Sequence, residues 1–255
     1  EDYKNENLDK SLDKLIRDAE KQLSTHLIDV NVLYDSSEYN FLKFSIKKSF
    51  DQPTLISKYY NSLVEEANFI ISENNFRDQV VHIIINNIIA DDHIKLENIF
   101  DDIKVNSLIL ELKFICLKKS SINDLSNKFK ENNLNIINIY CSSYVKSILY
   151  KKNFENKNNL IFLDIGHQRT SALFFYDNKF EFLNSVPIGG YNITKDISKV
   201  LKLDLNYSED LKLKFNKDED EIYINKNSTN DKNLYSDLIK KNISTYLLKQ
   251  VIEAR

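Results

Sequence analysis

LIFLDIGHQRTSALFFYDNKFEFLNSVPIGGYNITKDISKVLKLDLNYSEDLKLK, residues 160–214, sets the architecture. An apolar run at 160–163 delivers Asp164-Ile165-Gly166 into a turn that closes at Thr170. A second apolar run, 171–176, leaves that turn, and Asp177-Asn178 opens the next. This pattern predicts a β-meander whose first hairpin tip carries an acid, a glycine and a hydroxyl. Pro187-Ile188-Gly189-Gly190 then precedes a helical segment, and Ser208 to Lys212 lies on another. A tip offering backbone N–H groups and one carboxylate suits phosphate with a bound metal.

The bulk properties bound what surrounds this stretch. At 255 residues the chain exceeds one typical core, so one large or two smaller domains are expected. With 42% hydrophobic residues, 15 Phe and 14 Tyr, it has ample material for an interior. A net charge of −3 with scattered basic residues supports no nucleic-acid groove. The chain has no Met, starts Glu1-Asp2-Tyr3 and stops inside a helical run, so an internal piece of a longer protein is expected. Cys116 and Cys141 sit in apolar runs without metal-ligand spacing, which reads as two free buried thiols in a reducing cytoplasm. His26, His82 and His93 lie in unrelated contexts and read as structural or exposed groups. His167 is on the tip but has no Ser or Cys nucleophile with a partner acid nearby, so no catalytic residues are assigned.

Outside the opening stretch, residues 8–23 carry apolar side chains at helical spacing. Residues 30–34 and 41–46 read as short strands. Asp51-Gln52-Pro53-Thr54 reads as a helix start, with Pro53 in the first turn. The apolar run 80–90 reads as two strands broken at Asn86-Asn87, and 105–117 as another strand. Helices are expected over 121–132 and 141–151, with a strand over 134–140 between them. The polar stretch 152–159 is read as a linker at a domain boundary. Further on, helices are expected over 193–201 and 208–215, a short strand over 221–225, a polar loop over 227–233 and a closing helix over 235–255. The class is α/β (α+β).

Six pieces in order carry a resemblance: Asp164-Ile165-Gly166; Thr170; Val186-Pro187-Ile188-Gly189-Gly190; Ile193-Thr194; Asp196-Ile197; and Glu209, Leu211, Lys212. Together they resemble the bacterial cell-division family FtsA, within the actin-like proteins. Ala19-Glu20 and the terminal Ile252 and Arg255 extend the likeness. The resemblance implies an actin-like (ribonuclease H-like) nucleotide-binding fold, incomplete at both ends, with an inserted SHS2-type subdomain. It divides the chain into 1–50 (remnant of subdomain 1A), 51–150 (the inserted 1C), 151–198 (part of 2A) and 199–255 (part of 2B). It implies ATP with Mg2+ as cofactor. Gly166 and Thr170 would face phosphates, and Asp164 would hold the metal through water. Gly189 and Gly190 would let the backbone approach the nucleotide, and Glu209 and Lys212 would line its ribose and adenine side.

What the resemblance implies functionally is an adaptor, at most a weak ATPase, that binds the FtsZ C-terminal tail and organises the Z-ring at the septum. Its partners would be FtsZ, other divisome proteins and copies of itself in actin-like polymers. Its place would be the cytoplasmic face of the cell membrane at the division site, attached through a C-terminal helix absent from this sequence. One departure stands out. Family members usually keep two more glycines after Asp-Ile-Gly, where this chain has His167-Gln168-Arg169. Large side chains resist φ > 0, so a crowded turn with weakened or lost nucleotide binding is expected, or else Arg169 pairs with a phosphate oxygen. An Asp-Ile-Gly turn without the further glycine run also resembles the type IV pilus assembly protein PilM, and a true ATPase of the sugar-kinase or Hsp70 type is a third reading.

Overall fold

A computed structural model of the chain describes residues 2–96, 103–154, 156–215 and 245–254. In chain order the elements are α1 (Asp2–Leu23), β1 (Asp29–Tyr34), β2 (Tyr39–Leu55), α2 (Ile56–Asn74), β3 (Asp78–Ala90), β4 (Ile94–Leu96), β5 (Lys104–Lys118), α3 (Lys119–Glu131), β6 (Asn135–Cys141) and α4 (Ser142–Lys151). They continue with β7 (Leu160–Ile165), β8 (Thr170–Tyr176), β9 (Lys179–Val186), α5 (Gly190–Leu201), α6 (Leu205–Lys214) and, after the undescribed stretch, a helix here called α7 (Thr245–Glu253). The class is mixed α/β, as the sequence predicts. The strand, loop and first part of the helix expected between 216 and 244 lie outside the described residues.

The chain divides into two compact units, Glu1–Leu163 with Ser171–Ser185, and Asp164–Thr170 with Val186–Arg255. The polar stretch 152–159 does not mark this division. Its start is a single 3-10 turn, and Asn158 and Asn159 are tied to the turn after β8: Asn158 O accepts from Asn178 N–H at 2.8 Å, and Asn159 Oδ1 from Asp177 N–H at 3.0 Å. The described residues of this polar run without periodicity are exposed, yet its end is held by hydrogen bonds to a neighbouring turn.

The first unit is built on β5. Its four-stranded antiparallel sheet has the order β2-β5-β3-β4, while β1 and β6 pair in parallel as a separate ribbon, and β7-β8-β9 form the meander read from the sequence. Side chains alternate across a strand, so β5 faces two ways. Leu108, Leu110, Leu112 and Phe114 pack with Ile56, Leu63 and Ala67 of the α2 side. Ile115 and Leu117 pack with Leu173, Phe175, Phe180 and Leu183 of the meander. All six of these β5 side chains are 0–1% exposed. Lys113 shares the meander side at 3% exposure. Its ammonium donates to Phe180 O and to Glu181 Oε1, the latter at 2.9 Å. Burial lowers the Lys113 pKa, and the Glu181 carboxylate opposes that.

Two local readings are corrected. Asp51-Gln52-Pro53 does not start a helix: β2 runs through it, and the register against β5 shifts between Ser49 and Thr54. Proline has no N–H to give a ladder, so it fits a strand where pairing lapses, and α2 begins only at Ile56. Asn86-Asn87 does not split 78–90 into two strands either. β3 is continuous, with register shifts between Val80 and His82 and between Ile85 and Asn87, so the pair marks a bulge. Cys116 and Cys141 are free and buried, and burial pushes the Cys116 thiol up to about 12.

His82 has a defined task beside one of these bulges. Its Nε2 accepts the N–H of Cys141, the residue preceding α4, at 2.9 Å, and its ring lies 5.0 Å from that of Tyr144. Burial holds its pKa down to about 4 from 6.5. An unfolded chain therefore takes up this proton near 6.5 while the folded chain resists until about 4. Stability from His82 is complete above 6.5, falls as pH drops through that window and levels off below it. The loss is on the order of 3 kcal/mol before solvent contact at the ring reduces it. Urea unfolding of the wild type and His82→Gln across pH 7 to 4 checks this: the variant should start less stable and lose less.

Candidate functional site

The second unit gathers the residues singled out by the sequence. β7 delivers Asp164 and Ile165, and the chain reverses over His167 and Gln168, with Gly166 N–H donating to Arg169 O at 2.8 Å. No residue from 164 to 170 has a positive φ. The expected strain of a glycine-poor turn is therefore absent: the tip uses conformations that any L-residue adopts. Crowding is relieved by direction, since Arg169 turns inward to 5% exposure with its Nη2 3.6 Å from Asp164 Oδ2.

The Pro-Ile-Gly-Gly step is clipped across this tip. Thr170 Oγ1 donates to Ile188 O at 2.7 Å, Gly190 N–H to Gly166 O at 2.9 Å, and Tyr191 N–H to His167 O at 2.6 Å. Asn192 Oδ1 reaches back to Gly189 N–H at 3.0 Å, the side chain three residues in closing on the cap. The first N–H groups of a helix lack intrahelical partners and commonly hold anions. In α5 those of Gly190 and Tyr191 are already engaged by tip carbonyls.

The two glycines are not equivalent. Gly189 has φ −154°, extended backbone open to any residue, so only space decides there. A Cβ on it would collide with Gly166 O and stand 2.7 Å from both Arg169 N and His167 O. A Cβ on Gly190 would meet nothing closer than Lys212 Nζ at 3.4 Å. What requires a glycine at 189 is the tip's own backbone.

α6 closes the other side. Asp204 caps it, its Oδ1 accepting Tyr207 N–H at 2.9 Å, and Ile197, Leu201, Tyr207, Leu211 and Leu248 form the core among α5, α6 and α7. This packing brings Lys212 onto α5. Its ammonium donates to Glu209 Oε2 at 2.7 Å, Thr194 Oγ1 at 3.0 Å and Gly190 O at 3.1 Å, filling its three donor positions. Thr194 also bonds Glu209. Burial works to raise the Glu209 carboxyl, but the hydrogen bonds from Lys212 and Thr194 outweigh it and hold it below the usual glutamate range. His167 stacks at 5.0 Å on Tyr191, whose ring also carries Lys195 Nζ at 4.8 Å.

Asp164, Gly166, Thr170, Gly189, Gly190, Glu209 and Lys212 thus form one continuous chain of contacts, linked through Arg169 and Thr194. Sequence reasoning left three contributors out of the site. Thr194 lies one helical turn beyond Gly190, and Asn192 occupies the third helical position that a capping box uses, so both had a spacing signal. The inward turn of Arg169 toward Asp164 had none.

The asymmetry of the glycines gives a direct check by thermal unfolding. Gly189→Ala should cost about 1–3 kcal/mol as an overpacked site. Gly190→Ala, at the start of a helix with room for a methyl group, should be neutral or stabilising by up to about 1 kcal/mol.

Part of this chain is similar to known proteins. Residues 161–253 match the family model described as cell division protein FtsA. The curated FtsA proteins of Helicobacter pylori strains 26695 and J99 are each 24% identical over 104 residues, covering 41% of this chain and 21% of theirs. The match thus spans about a fifth of these relatives' length. Among solved structures, a PilM-PilN type IV pilus biogenesis complex aligns at TM-score 0.45 and 12% identity, over 68% of this chain and 47% of that one. The ethanolamine utilization protein EutJ from Carboxydothermus hydrogenoformans gives TM-score 0.29 and 17% identity, over 35% of this chain and 32% of its own. A Bacteroides thetaiotaomicron protein with an actin-like ATPase fold gives TM-score 0.29 and 13% identity, over 76% and 63%. The whole site lies within residues 161–253, the part of this chain that is similar to the FtsA family.

Proposed function

We propose that the chain is part of an FtsA-like division adaptor, which recruits the FtsZ C-terminal tail and organises the Z-ring at the cytoplasmic face of the membrane. The observation that carries this reading is the clasp of tip, α5 and α6, formed by residues inside the stretch that matches the FtsA family. In this reading residues 1–50, 51–150, 151–198 and 199–255 correspond to subdomains 1A, 1C, 2A and 2B. Asp164, Gly166, Thr170, Gly189, Gly190, Glu209 and Lys212 line the nucleotide position. An adaptor needs ATP only as a structural ligand, which accords with a site whose polar groups are engaged with one another. Self-association and further divisome contacts belong to the same proposal.

The helices of the second unit offer apolar surface for a short peptide: Val200, Leu205, Leu213 and Tyr246 are 42–72% exposed. Among the described residues no helix is long and apolar enough to cross a membrane. The PilM-like reading keeps one favouring feature, the stretch His167-Gln168-Arg169 in place of further glycines after Gly166.

Fluorescence anisotropy of a labelled FtsZ C-terminal peptide with the full-length protein tests the adaptor reading. A Kd of about 10–100 μM is expected for a short linear segment, and Leu213→Asp should weaken it about tenfold with unchanged circular dichroism. Absence of binding at several hundred micromolar would turn the assignment toward the pilus reading.

A further inference from the structure

The metal implied by the family can be tested against the residues present. A magnesium ion usually keeps several waters and takes one or two carboxylates together with phosphate oxygens, so a single acid at the tip is enough in principle. Among the described residues no three acidic, histidine or cysteine side chains converge, which leaves Asp164 as the tip's one acidic anchor. That carboxylate already has a cation. Arg169 Nη2 lies 3.6 Å from Asp164 Oδ2, and its side chain is 7% exposed against 24% for the acid. A guanidinium stays protonated throughout the working pH range, so this counter-charge is permanent. A divalent ion placed on Asp164 would meet a fixed positive charge with little water between them to screen it. The second acid of the site, Glu209, has Lys212 at 2.7 Å in the same role. Tip and α6 are thus neutralised pair by pair, and a divalent ion does not fit.

We propose that Arg169 replaces the divalent cation at this turn: it neutralises Asp164 from within the chain, so the tip holds its shape without Mg2+. The proposal rests on reading the tip as the counterpart of the FtsA nucleotide turn. Failure of FtsZ-peptide binding would remove that reading while leaving the measurement below unaffected. Three further features fit a tip that is complete in itself. Gly166 and His167 carbonyls take the first α5 N–H groups, Thr170 ties to Ile188 O, and no residue of the turn depends on a left-handed conformation. Arg169 is here a positioning residue, acting on Asp164 and on the turn, with no chemical step assigned to it.

The test uses the full-length protein and Mg2+ alone as the probe, read by thermal unfolding in about 10 mM Mg2+ against EDTA. Wild type should be unchanged within about 0.5 °C. Arg169→Ser leaves a half-buried carboxylate uncompensated; it should melt lower and regain at least about 2 °C with Mg2+. The double variant Asp164→Asn/Arg169→Ser removes both charges; it should be more stable than Arg169→Ser and indifferent to the ion. A wild-type shift with Mg2+ that Asp164→Asn abolishes would overturn the proposal, and so would an Arg169→Ser protein that ignores Mg2+. If Arg169→Ser does not fold, wild type and Asp164→Asn decide it: equal indifference to Mg2+ supports the substitution, an Asp164-dependent shift refutes it. Binding of a fluorescent ATP analogue gives a second readout. Equal wild-type affinity in Mg2+ and EDTA, within about threefold, is expected, and a gain of about tenfold with Mg2+ counts against the proposal.

Discussion

Two stretches of backbone meet where Gly189 has no Cβ, and the geometry of the second unit follows from that meeting. Because no methyl group intervenes, Gly166 O and His167 O come close enough to accept the first N–H groups of α5. That fixes where α5 begins and which of its faces receives α6. The direction of α6 then decides that Lys212 and Glu209 arrive beside Gly190 and Thr194 rather than in solvent. Each hydrogen bond in this series is worth only about 1 kcal/mol net. They hold together because a break in one leaves a half-buried donor or acceptor without water to replace its partner.

The same closeness changes how the site's chemistry is understood. A glycine pair before a helix suggests room for a ligand, and the helix start suggests free donors. Here the room at Gly189 is filled by the tip, and the donors of Gly190 and Tyr191 are spent on it. Opposite charges are likewise matched inside the unit, Arg169 with Asp164 and Lys212 with Glu209. This is the arrangement of a part whose shape is held by its own contacts.

Much of this was legible in the sequence, for particular reasons. Alternation across β8 is strong, with Ser171, Leu173 and Phe175 buried, and Asp177-Asn178 supplies the positive-φ turn that leads into β9. Six family-like pieces in order carried the likeness that the 161–253 match reflects. Other features could not be read. Pro53 is compatible with both a helix start and a lapse in strand pairing, and only the register of β5 selects the second. Asn192 and Thr194 had a spacing signal, but the meeting of Thr194 with Lys212 and Glu209 of α6 depends on packing that spacing does not give. The pairing of Arg169 with Asp164 depends on how a two-residue reversal aims its side chains, which spacing alone does not specify.

β5 serves as the inner wall of two packings at once, with Phe114 on one face and Ile115 on the other. A wall with two tenants cannot be moved to suit one of them: enlarging a side chain on the α2 side displaces the backbone that Leu173 and Phe180 lean on. The helical layer and the meander are therefore mechanically coupled through a single strand. Its central amides should be the last in this unit to exchange with solvent, opening only when both layers let go together.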